Sequence, residues 1–452
     1  MIAVNPTTGQ ALREYPEHAA AEVEQRLETA LAAFASWRRT TPAERAASLD
    51  AIASVLRRDR DALARLMTEE MGKPIAQSEA EVEKCAVACD HYARHGPRDL
   101  EPVDVATDAS RSRVRFDPLG VVLAVMPWNF PLWQVVRAAV PALMAGNAVL
   151  LKHASNVPGC ALAIERVFHD AGLPPGVFTT LMIGARDAEA LVDHPAVQAV
   201  TLTGSEAAGM ALAARAGRAL KKTVLELGGS DAFVVLADAD PAEAAAQAVA
   251  ARLVNNGESC IAAKRFIVEA PLAERFEGLL AQRMARLKIG DPLDRATELG
   301  PLARADLVDA LDRQVRESVA RGATLLTGGA RPARDGFFYA PTVLAQVQPG
   351  MPAFDEETFG PLAAVTRARD TAHAIELANH SSYGLGASVW TADPDRGEAL
   401  ARDLEAGSVF VNGVVRSDPR LPFGGVKRSG YGRELSTFGL REFVNVKTVW
   451  VR

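Results

Sequence analysis

Long apolar runs, excess basic charge and abundant cysteine are all missing from this sequence of 452 residues. No apolar run reaches the ~18 residues that a membrane-spanning helix needs. The most apolar stretch, residues 120–133, is interrupted by Pro127, Asn129 and Pro131. The net charge of -6 argues against nucleic acid as the main partner, since neutralising phosphates needs a basic surface. We therefore expect neither a membrane nor a nucleic-acid partner.

The small number of cysteines excludes two further classes of protein. Four cysteines in a chain of this length do not form a secreted disulfide scaffold. No histidine or cysteine stands beside them at zinc-site spacing, so we expect no metal site. The first residues carry neither the basic nor the apolar region of a signal peptide. These absences predict a reduced, cytoplasmic protein.

The order of predicted helices and strands indicates an α/β protein. The length suggests two or three domains. Apolar spacing predicts helices over residues 22–38 and 42–71. Strands then alternate with helices to about residue 225, which predicts a parallel sheet covered on both faces, and a second alternation runs over 227–402. The strands of the first sheet are predicted at residues 121–125, 148–152, 179–183, 199–203 and 223–225.

The C-terminal segment, residues 443–451, alternates like a strand and has no obvious partner nearby in the sequence. We expect it to pair with a sheet of another subunit, because an open strand edge favours aggregation. Pairing within its own chain is the alternative. Residues 113–125 combine alternation with a turn and predict a hairpin. Together these segments suggest a homodimer, or two dimers paired into a tetramer.

One cysteine stands in a setting that suits a reactive thiol. In residues 255–263, polar residues and a glycine lead directly into Cys260, and an apolar segment follows. This predicts a thiol on a loop at the start of a helix, where the helix N-terminus favours the thiolate. The alternative is a buried structural cysteine, the commoner fate of a free thiol. For Cys85, Cys89 and Cys160 we favour that structural interpretation.

Three further segments place polar groups after predicted strands, where parallel sheets bind ligands. Glu226 precedes two glycines, and its carboxylate could activate water or serve as a cap or salt-bridge partner. The turn at Gly204 and Ser205 opens a helix whose N–H groups suit a pyrophosphate, although its spacing is not the usual dinucleotide pattern. Asn129 is held between two prolines, which makes its amide a good oxyanion donor or part of a rigid turn.

Together these segments resemble the aldehyde dehydrogenase superfamily. Seven pieces match in order and spacing over nearly the whole chain. Within the superfamily, residues 131–137, 151–154 and 427–435 resemble succinate-semialdehyde dehydrogenases of the shorter bacterial type. The seven pieces are residues 127–131, Lys152, residues 203–205, residues 226–229, Cys260, residues 356–361 and residues 422–425.

The resemblance implies an α/β fold with three parts. These are a Rossmann-type parallel-sheet cofactor domain, an α/β catalytic domain that carries the nucleophilic cysteine, and a small oligomerisation sheet. The implied bounds are 1–110 and 126–225 with part of 403–430 for the cofactor domain, 226–402 for the catalytic domain, and 111–125 with 431–452 for the small sheet.

By the same resemblance, Cys260 is the nucleophile, Glu226 is the base for hydrolysis, and Asn129 forms an oxyanion hole with the Cys260 N–H. The implied reaction oxidises an aldehyde to its acid through a thiohemiacetal and a thioester, with NADP or NAD as hydride acceptor. Lys152 and Glu357 bind ribose hydroxyls. The full set of implied cofactor contacts is Met126, Pro127, Trp128, Lys152, Ala154, Ser155, Gly204, Ser205, Leu227, Glu357 and Phe359.

The chain departs from the family pattern beside the nucleophile. Glu258 stands where glutamine is common, and a carboxylate pointing inward would raise the pKa of Cys260. We therefore expect the Glu258 side chain to face away. Ile261 and Ala262 follow the nucleophile, so a disulfide switch between neighbouring thiols is not expected.

The turn after the second predicted strand indicates which cofactor the protein prefers. NAD-selective members of the family often have an acidic residue at the position of Ser155, where a carboxylate would repel a 2′-phosphate. A small hydroxyl residue beside the positive Lys152 instead predicts that NADP is preferred. Equal use of NAD is the alternative.

Asn129, Trp133 and Arg137 recur at helical spacing and therefore share one face of a helix. Arg137 can then pair with a substrate carboxylate, with Ser417 as a second donor. An internal salt bridge of Arg137 is the alternative. This set predicts succinate semialdehyde as the substrate. The alternatives are glutarate or malonate semialdehyde, a broad range of aliphatic aldehydes, transfer to coenzyme A in place of hydrolysis, and a non-catalytic protein that kept the fold.

Overall fold

Helices and strands alternate through most of the chain. The computed structural model describes all 452 residues. The helices are α1 (Ala20–Trp37), α2 (Pro42–Arg58), α3 (Arg60–Met71), α4 (Ile75–Asp99), α5 (Trp133–Met144), α6 (Pro158–Asp170), α7 (Ala185–Leu191), α8 (Glu206–Arg218), α9 (Pro241–Arg252), α10 (Ala270–Ala285), α11 (Ala305–Ala320), α12 (Pro352–Asp355), α13 (Thr371–Asn379), α14 (Pro394–Leu400) and α15 (Ser436–Leu440), with a 3-10 turn at Val254–Gly257. The strands are β1 (Ile2–Asn5), β2 (Gln10–Glu14), β3 (Val103–Asp104), β4 (Arg111–Pro118), β5 (Val121–Met126), β6 (Ala148–His153), β7 (Phe178–Thr180), β8 (Val197–Thr203), β9 (Lys222–Glu226), β10 (Ala232–Val235), β11 (Arg265–Glu269), β12 (Thr324–Thr327), β13 (Thr342–Ala345), β14 (Leu362–Ala368), β15 (Tyr383–Gly384), β16 (Gly386–Trp390), β17 (Ser408–Val411), β18 (Val426–Lys427), β19 (Gly430–Tyr431) and β20 (Val444–Val451).

The first large sheet has six strands in the order β19-β9-β8-β5-β6-β7, and all but β19 run parallel. Successive residues of β5 enter different cores. Val121 and Leu123 pack with α1 and α8 on one face, while Val122 and Ala124 pack with α2 to α6 on the other. The five strands predicted for this sheet are confirmed, although the third ends at Thr180.

The second large sheet has seven strands in the order β12-β13-β14-β11-β10-β16-β17. Its inner strands are parallel and also buried on both faces. Phe233 and Phe266 face α9 and α10, while Val234 and Ile267 face α11 and α13. Both sheets therefore present the carboxyl ends of parallel strands, which is where ligand sites form in such folds.

The small third sheet has the order β20-β4-β3. Here β20 pairs antiparallel with β4 of its own chain, from Val444 opposite Pro118 to Val451 opposite Arg111. The local pairing that the sequence left as an alternative is therefore present, and β20 is an edge strand of its sheet. No helix of the structure is both long and apolar enough to cross a membrane.

The predicted hairpin at residues 113–125 and the assignment of 111–125 to the small sheet are wrong at their C-terminal end. Val121–Met126 lies between β6 and β8 in the six-stranded sheet. The physical reason is visible in the pattern of burial. Residues 111–118 are largely exposed or half-buried, as an outer strand allows, whereas Val121 to Ala124 are continuously buried, as a central parallel strand requires.

Candidate active site

Cys260 lies in an irregular turn between the 3-10 turn and β11. No helix begins there, so the prediction of a thiol at a helix N-terminus is wrong. Asn255 and Asn256 adopt left-handed φ angles of 57° and 58°, which break helical geometry. Gly257 also has a positive φ, and a Cβ there would come within 2.2 Å of the Gly360 carbonyl oxygen. The loop is thus fixed by close backbone approach rather than by a helix.

The side chain of Lys264 also fixes this loop. Its buried ammonium donates to the carbonyl oxygens of Ser259, Cys260 and Ala262 at 3.0, 2.8 and 3.1 Å. Three charge-assisted hydrogen bonds to carbonyls of one loop leave the backbone that carries the thiol little freedom to move. Sequence reasoning missed Lys264, because no residue pattern marks a lysine whose partners are backbone groups.

Two cavities of about 470 and 480 Å³ meet at Cys260, which lines both of them. Gln134 on α5 is also shared. One cavity lies at the carboxyl ends of the strands in the six-stranded sheet, and the other lies on the opposite side of the thiol. A nucleophile between two cavities can meet a different molecule from each side.

The cavity at the strand ends contains nearly all of the predicted cofactor contacts. Ten of the eleven line it, and the exception, Ser155, is exposed. The ten are Met126, Pro127, Trp128, Lys152, Ala154, Gly204, Ser205, Leu227, Glu357 and Phe359. We call this space the cofactor cavity.

The donors of the cofactor cavity fit a dinucleotide. Ser205 caps α8, and both Ser205 and Ala208 line the cavity, so the N-terminus of that helix borders the space where a pyrophosphate would lie. Lys152 is buried, burial lowers its pKa, and its side chain lines the cavity as a donor for hydroxyl or phosphate oxygens. Glu357 accepts the Gly229 N–H at 2.8 Å. A Cβ at Gly228 would lie 2.6 Å from the other Glu357 oxygen, so that glycine makes room for the carboxylate.

The opposite cavity, which we call the substrate cavity, contains all three predicted substrate residues, Trp133, Arg137 and Ser417. Its charged lining is of one sign. Three basic side chains, Lys84, Arg137 and Arg416, border it, and no acidic side chain does. The sequence analysis missed Lys84, since a lysine on a long amphipathic helix normally lies at the surface.

Arg137 does not reach the substrate cavity as a free cation. Its guanidinium forms a buried ion pair with Glu434 and lies 4.6 Å from the centroid of the Phe423 ring. The internal salt bridge that the sequence left as the alternative is therefore present. Breaking such a buried pair is costly, so Arg137 is committed to Glu434 while it borders the cavity.

Asn129 is fixed beside the Cys260 loop. Its side-chain nitrogen donates to the Glu258 carbonyl oxygen at 3.0 Å, and Asn255 donates to the Asn129 carbonyl at 2.7 Å. The carboxylate of Glu258 accepts the Ala303 N–H at 2.9 Å and lines neither cavity. The expectation that Glu258 faces away is therefore confirmed.

Glu226 is buried beside the site and outside both cavities. It ends β9, its carboxyl lines neither cavity, and neither of its buried oxygens has a hydrogen-bond partner. One oxygen lies where a Cβ at Gly424 would be within 2.7 Å. Burial, and then the charge of Glu434, raise the pKa of this carboxyl well above its usual range. The structure thus places Asn129 beside the Cys260 loop and leaves the Glu226 carboxyl outside both cavities.

The family model of aldehyde dehydrogenases matches residues 1–449. The chain belongs to that family. A probable NADP(+)-dependent succinate-semialdehyde dehydrogenase of Synechocystis is 51% identical over 448 residues, which cover 99% of both chains. A succinate semialdehyde dehydrogenase of Escherichia coli named for NAD(P)+ is 50% identical, with 99% of this chain and 97% of the relative covered. The crystal structure of the Streptococcus pyogenes succinic semialdehyde dehydrogenase in complex with NADP+ superposes with a TM-score of 0.97 at 37% identity, covering 100% of this chain and 99% of that one.

The thiol of this aldehyde dehydrogenase rests in its protonated form. Burial raises the pKa of Cys260 to about 12, although Arg137 and Lys264 act in the opposite direction. Only the thiolate is an effective nucleophile.

We predict that iodoacetamide alkylates Cys260 of the ligand-free dehydrogenase slowly near neutral pH. Because the thiolate fraction is small far below the pKa, the rate should rise about tenfold for each pH unit, without a plateau up to about pH 9. The measurement is the rate of label incorporation at each pH, with the labelling of Cys260→Ala subtracted. A plateau that begins below about pH 8 would show that the resting thiol is already ionised.

Proposed function

We propose that this dehydrogenase oxidises a short aldehyde with a carboxylate at its far end, succinate semialdehyde first, and that NADP+ accepts the hydride. The observation that carries the proposal is the lining of the substrate cavity, with three basic side chains and no acidic one. Such a lining attracts an anion and gives no advantage to a neutral aldehyde. The substrates named for the Synechocystis and Escherichia coli relatives support the same choice.

In the proposed reaction the Cys260 thiol first loses its proton to solvent. The thiolate sulfur then adds to the aldehyde carbon, and the carbonyl oxygen becomes an oxyanion. The Cys260 N–H and the Asn129 amide stabilise that charge. The hydride then leaves the former aldehyde carbon with its electron pair, and the carbon becomes a thioester carbonyl. The nicotinamide, when bound, supplies the two-electron acceptor. Because Cys260 lines both cavities, it can hold this carbon against the cofactor.

Hydrolysis is assigned to Glu226. Glu226 first has to lose its own proton, because burial raises the pKa of this carboxyl. Water then attacks the thioester carbon, its proton passes to the Glu226 carboxylate, and the acid leaves as the sulfur takes back a proton. Glu226 has to swing from its place beside Gly424 to reach that water. Its unpartnered oxygens support this, since no hydrogen bond has to be broken.

The substrate carboxylate would lie among Trp133, Arg137 and Ser417. Arg137 contributes positive field despite its pairing with Glu434, and Ser417 offers a hydroxyl. For the cofactor, Lys152 and the exposed Ser155 leave room for a 2′-phosphate. NAD+ is the second acceptor in this proposal.

We expect kcat/KM for succinate semialdehyde to exceed that for butanal, its uncharged counterpart, by about tenfold to a hundredfold, since a charge-assisted contact contributes about 1.5–3 kcal/mol. NADP+ should give the larger kcat/KM of the two cofactors. Steady-state kinetics with both cofactors, and with malonate and glutarate semialdehydes, measures this. Equal values for succinate semialdehyde and butanal would contradict the substrate, and a preference for NAD+ of more than about tenfold would contradict the cofactor. Acid release without coenzyme A separates hydrolysis from acyl transfer.

We also propose that the molecule is a homodimer, or a dimer of dimers, in which β20 pairs with a second subunit. The support is its place at the edge of its sheet, with Val446 and Trp450 exposed. A cytoplasmic location is proposed because all four cysteines are free thiols.

A further inference from the structure

Lys84 reaches the substrate cavity from the middle of α4. Its ammonium donates to the Ser417 hydroxyl at 2.7 Å and lies 4.4 Å from the centroid of the Trp133 ring. Since the Ser417 oxygen accepts this bond, its own hydrogen is free to donate to another acceptor. An aromatic face, an ammonium and a hydroxyl therefore meet on one wall of the cavity.

The positive charge of Lys84 has no carboxylate to balance it. The acidic groups around it are engaged elsewhere: Glu81 pairs with Lys73, Asp418 with Arg420, and Glu434 with Arg137. A largely buried cation costs free energy unless an anion joins it. The wall of the substrate cavity thus carries a positive charge, on Lys84, that no carboxylate of the protein balances.

The position of Lys84 is fixed by its own helix. One turn earlier on α4, a Glu81 oxygen accepts the N–H groups of Leu132 and Trp133, both at 2.9 Å, at the start of α5. The other Glu81 oxygen pairs with Lys73. These bonds tie α4 to α5, which carries Trp133 and Arg137. The ammonium is therefore held in place before any ligand arrives, as a binding group should be.

We propose that Lys84 is the group that ion-pairs with the far-end carboxylate of the substrate, with Ser417 as the second donor. This inference rests on the proposed function and names the residue that decides its specificity. Arg137 is the less suitable partner, because its guanidinium is already paired with Glu434. Lys84 is a specificity residue and takes no part in the chemistry at the thiol.

The ionisation of Lys84 predicts a pH dependence of KM, which is a second test of the proposal. Burial, and then the neighbouring charge of Arg137, lower the pKa of Lys84 to about 8, while Cys85, Glu81 and Asp418 act in the opposite direction. The ammonium binds a carboxylate, and the neutral amine does not. The KM for succinate semialdehyde should therefore rise as pH rises above about 8, and the KM for butanal should lack this rise.

The experiment compares Lys84→Met, Lys84→Arg and the control Arg94→Met, which removes a charge from an exposed position of the same helix. The readout is the ratio of KM for succinate semialdehyde to KM for butanal. Lys84→Met should raise this ratio by roughly 30-fold or more, and Lys84→Arg should recover most of the loss and remove the rise above pH 8. Arg94→Met should behave as the parent enzyme.

The outcomes separate this inference from the function on which it rests. If the parent enzyme shows no preference for succinate semialdehyde over butanal, the proposed function fails. If the parent enzyme has the preference and Lys84→Met keeps it, the function stands and Lys84 is not the anchor. Equal increases in KM for both aldehydes in Lys84→Met would also overturn the proposal, because they indicate a damaged cavity.

Discussion

Glu226→Gln should release about one equivalent of NADPH per active site and then almost stop. Hydride transfer from a Cys260 adduct needs no base at position 226, whereas attack of water on the thioester does. The amide is close in size to the carboxyl but cannot take a proton from water. The steady-state rate should fall by about 10²–10⁴-fold, and the first turnover should remain. Rapid mixing with detection of NADPH absorbance measures both phases.

Glu398→Gln is the matched control, since Glu398 is exposed on α14. It should retain the full steady-state rate. Loss of the first equivalent in Glu226→Gln would contradict the assignment, because it would make Glu226 the activator of the thiol. An unchanged steady-state rate would equally contradict it, since some other group would then activate water.

Cys260→Ala should abolish the oxidation of every aldehyde. Without the sulfur there is no thiohemiacetal from which hydride can leave, and the fall should be at least about 10⁴-fold. NADPH should still bind, because most of the cofactor cavity is lined by the strand ends of the six-stranded sheet, the loops that follow them, and α11. Activity assays with succinate semialdehyde and butanal, together with titration of NADPH fluorescence, measure the two effects.

Cys89→Ala is the control for loss of a thiol. Cys89 is fully buried on α4 and lines neither cavity. The variant should lose some stability, because it leaves a small void in the core, but it should keep its dehydrogenase activity. Measurable oxidation by Cys260→Ala would move the nucleophile to another residue.

The features predicted best from the sequence are those that depend on residues close together in the chain. Strands β5, β6 and β8 follow from apolar runs bounded by turns, and eight of the eleven predicted cofactor contacts lie at or just after their ends. Polar groups after adjacent parallel strands converge on one edge of a sheet. For that reason a linear pattern was sufficient to assemble most of the cofactor cavity.

Contacts between distant segments could not be predicted in this way. Arg137 and Glu434 pair although 297 positions separate them (434 − 137), and nothing near either residue marks the partner. Lys84 and Ser417 are 333 positions apart. The charges in a substrate cavity depend on such pairs. Arg137 was expected to be free to bind the substrate but is paired with Glu434. Lys84, which no sequence pattern marked, has no ion-pair partner.

The prediction for the surroundings of the thiol was wrong for a different reason. The segment before Cys260 has the composition of a helix start, but the left-handed Asn255 and Asn256 lead the chain into β11. The expected lowering of the thiol pKa by a helix is replaced by a raised value caused by burial. Burial of the thiol, rather than a helix N-terminus, therefore determines how reactive the resting thiol is.

The most direct test of the whole account is the intact mass of Glu226→Gln shortly after it is mixed with NADP+ and succinate semialdehyde. The account predicts that the protein gains the mass of one succinyl group, that peptide mapping places this group on Cys260, and that the amount matches the NADPH released. Release of NADPH without a covalent adduct, or an adduct on any residue other than Cys260, would contradict it.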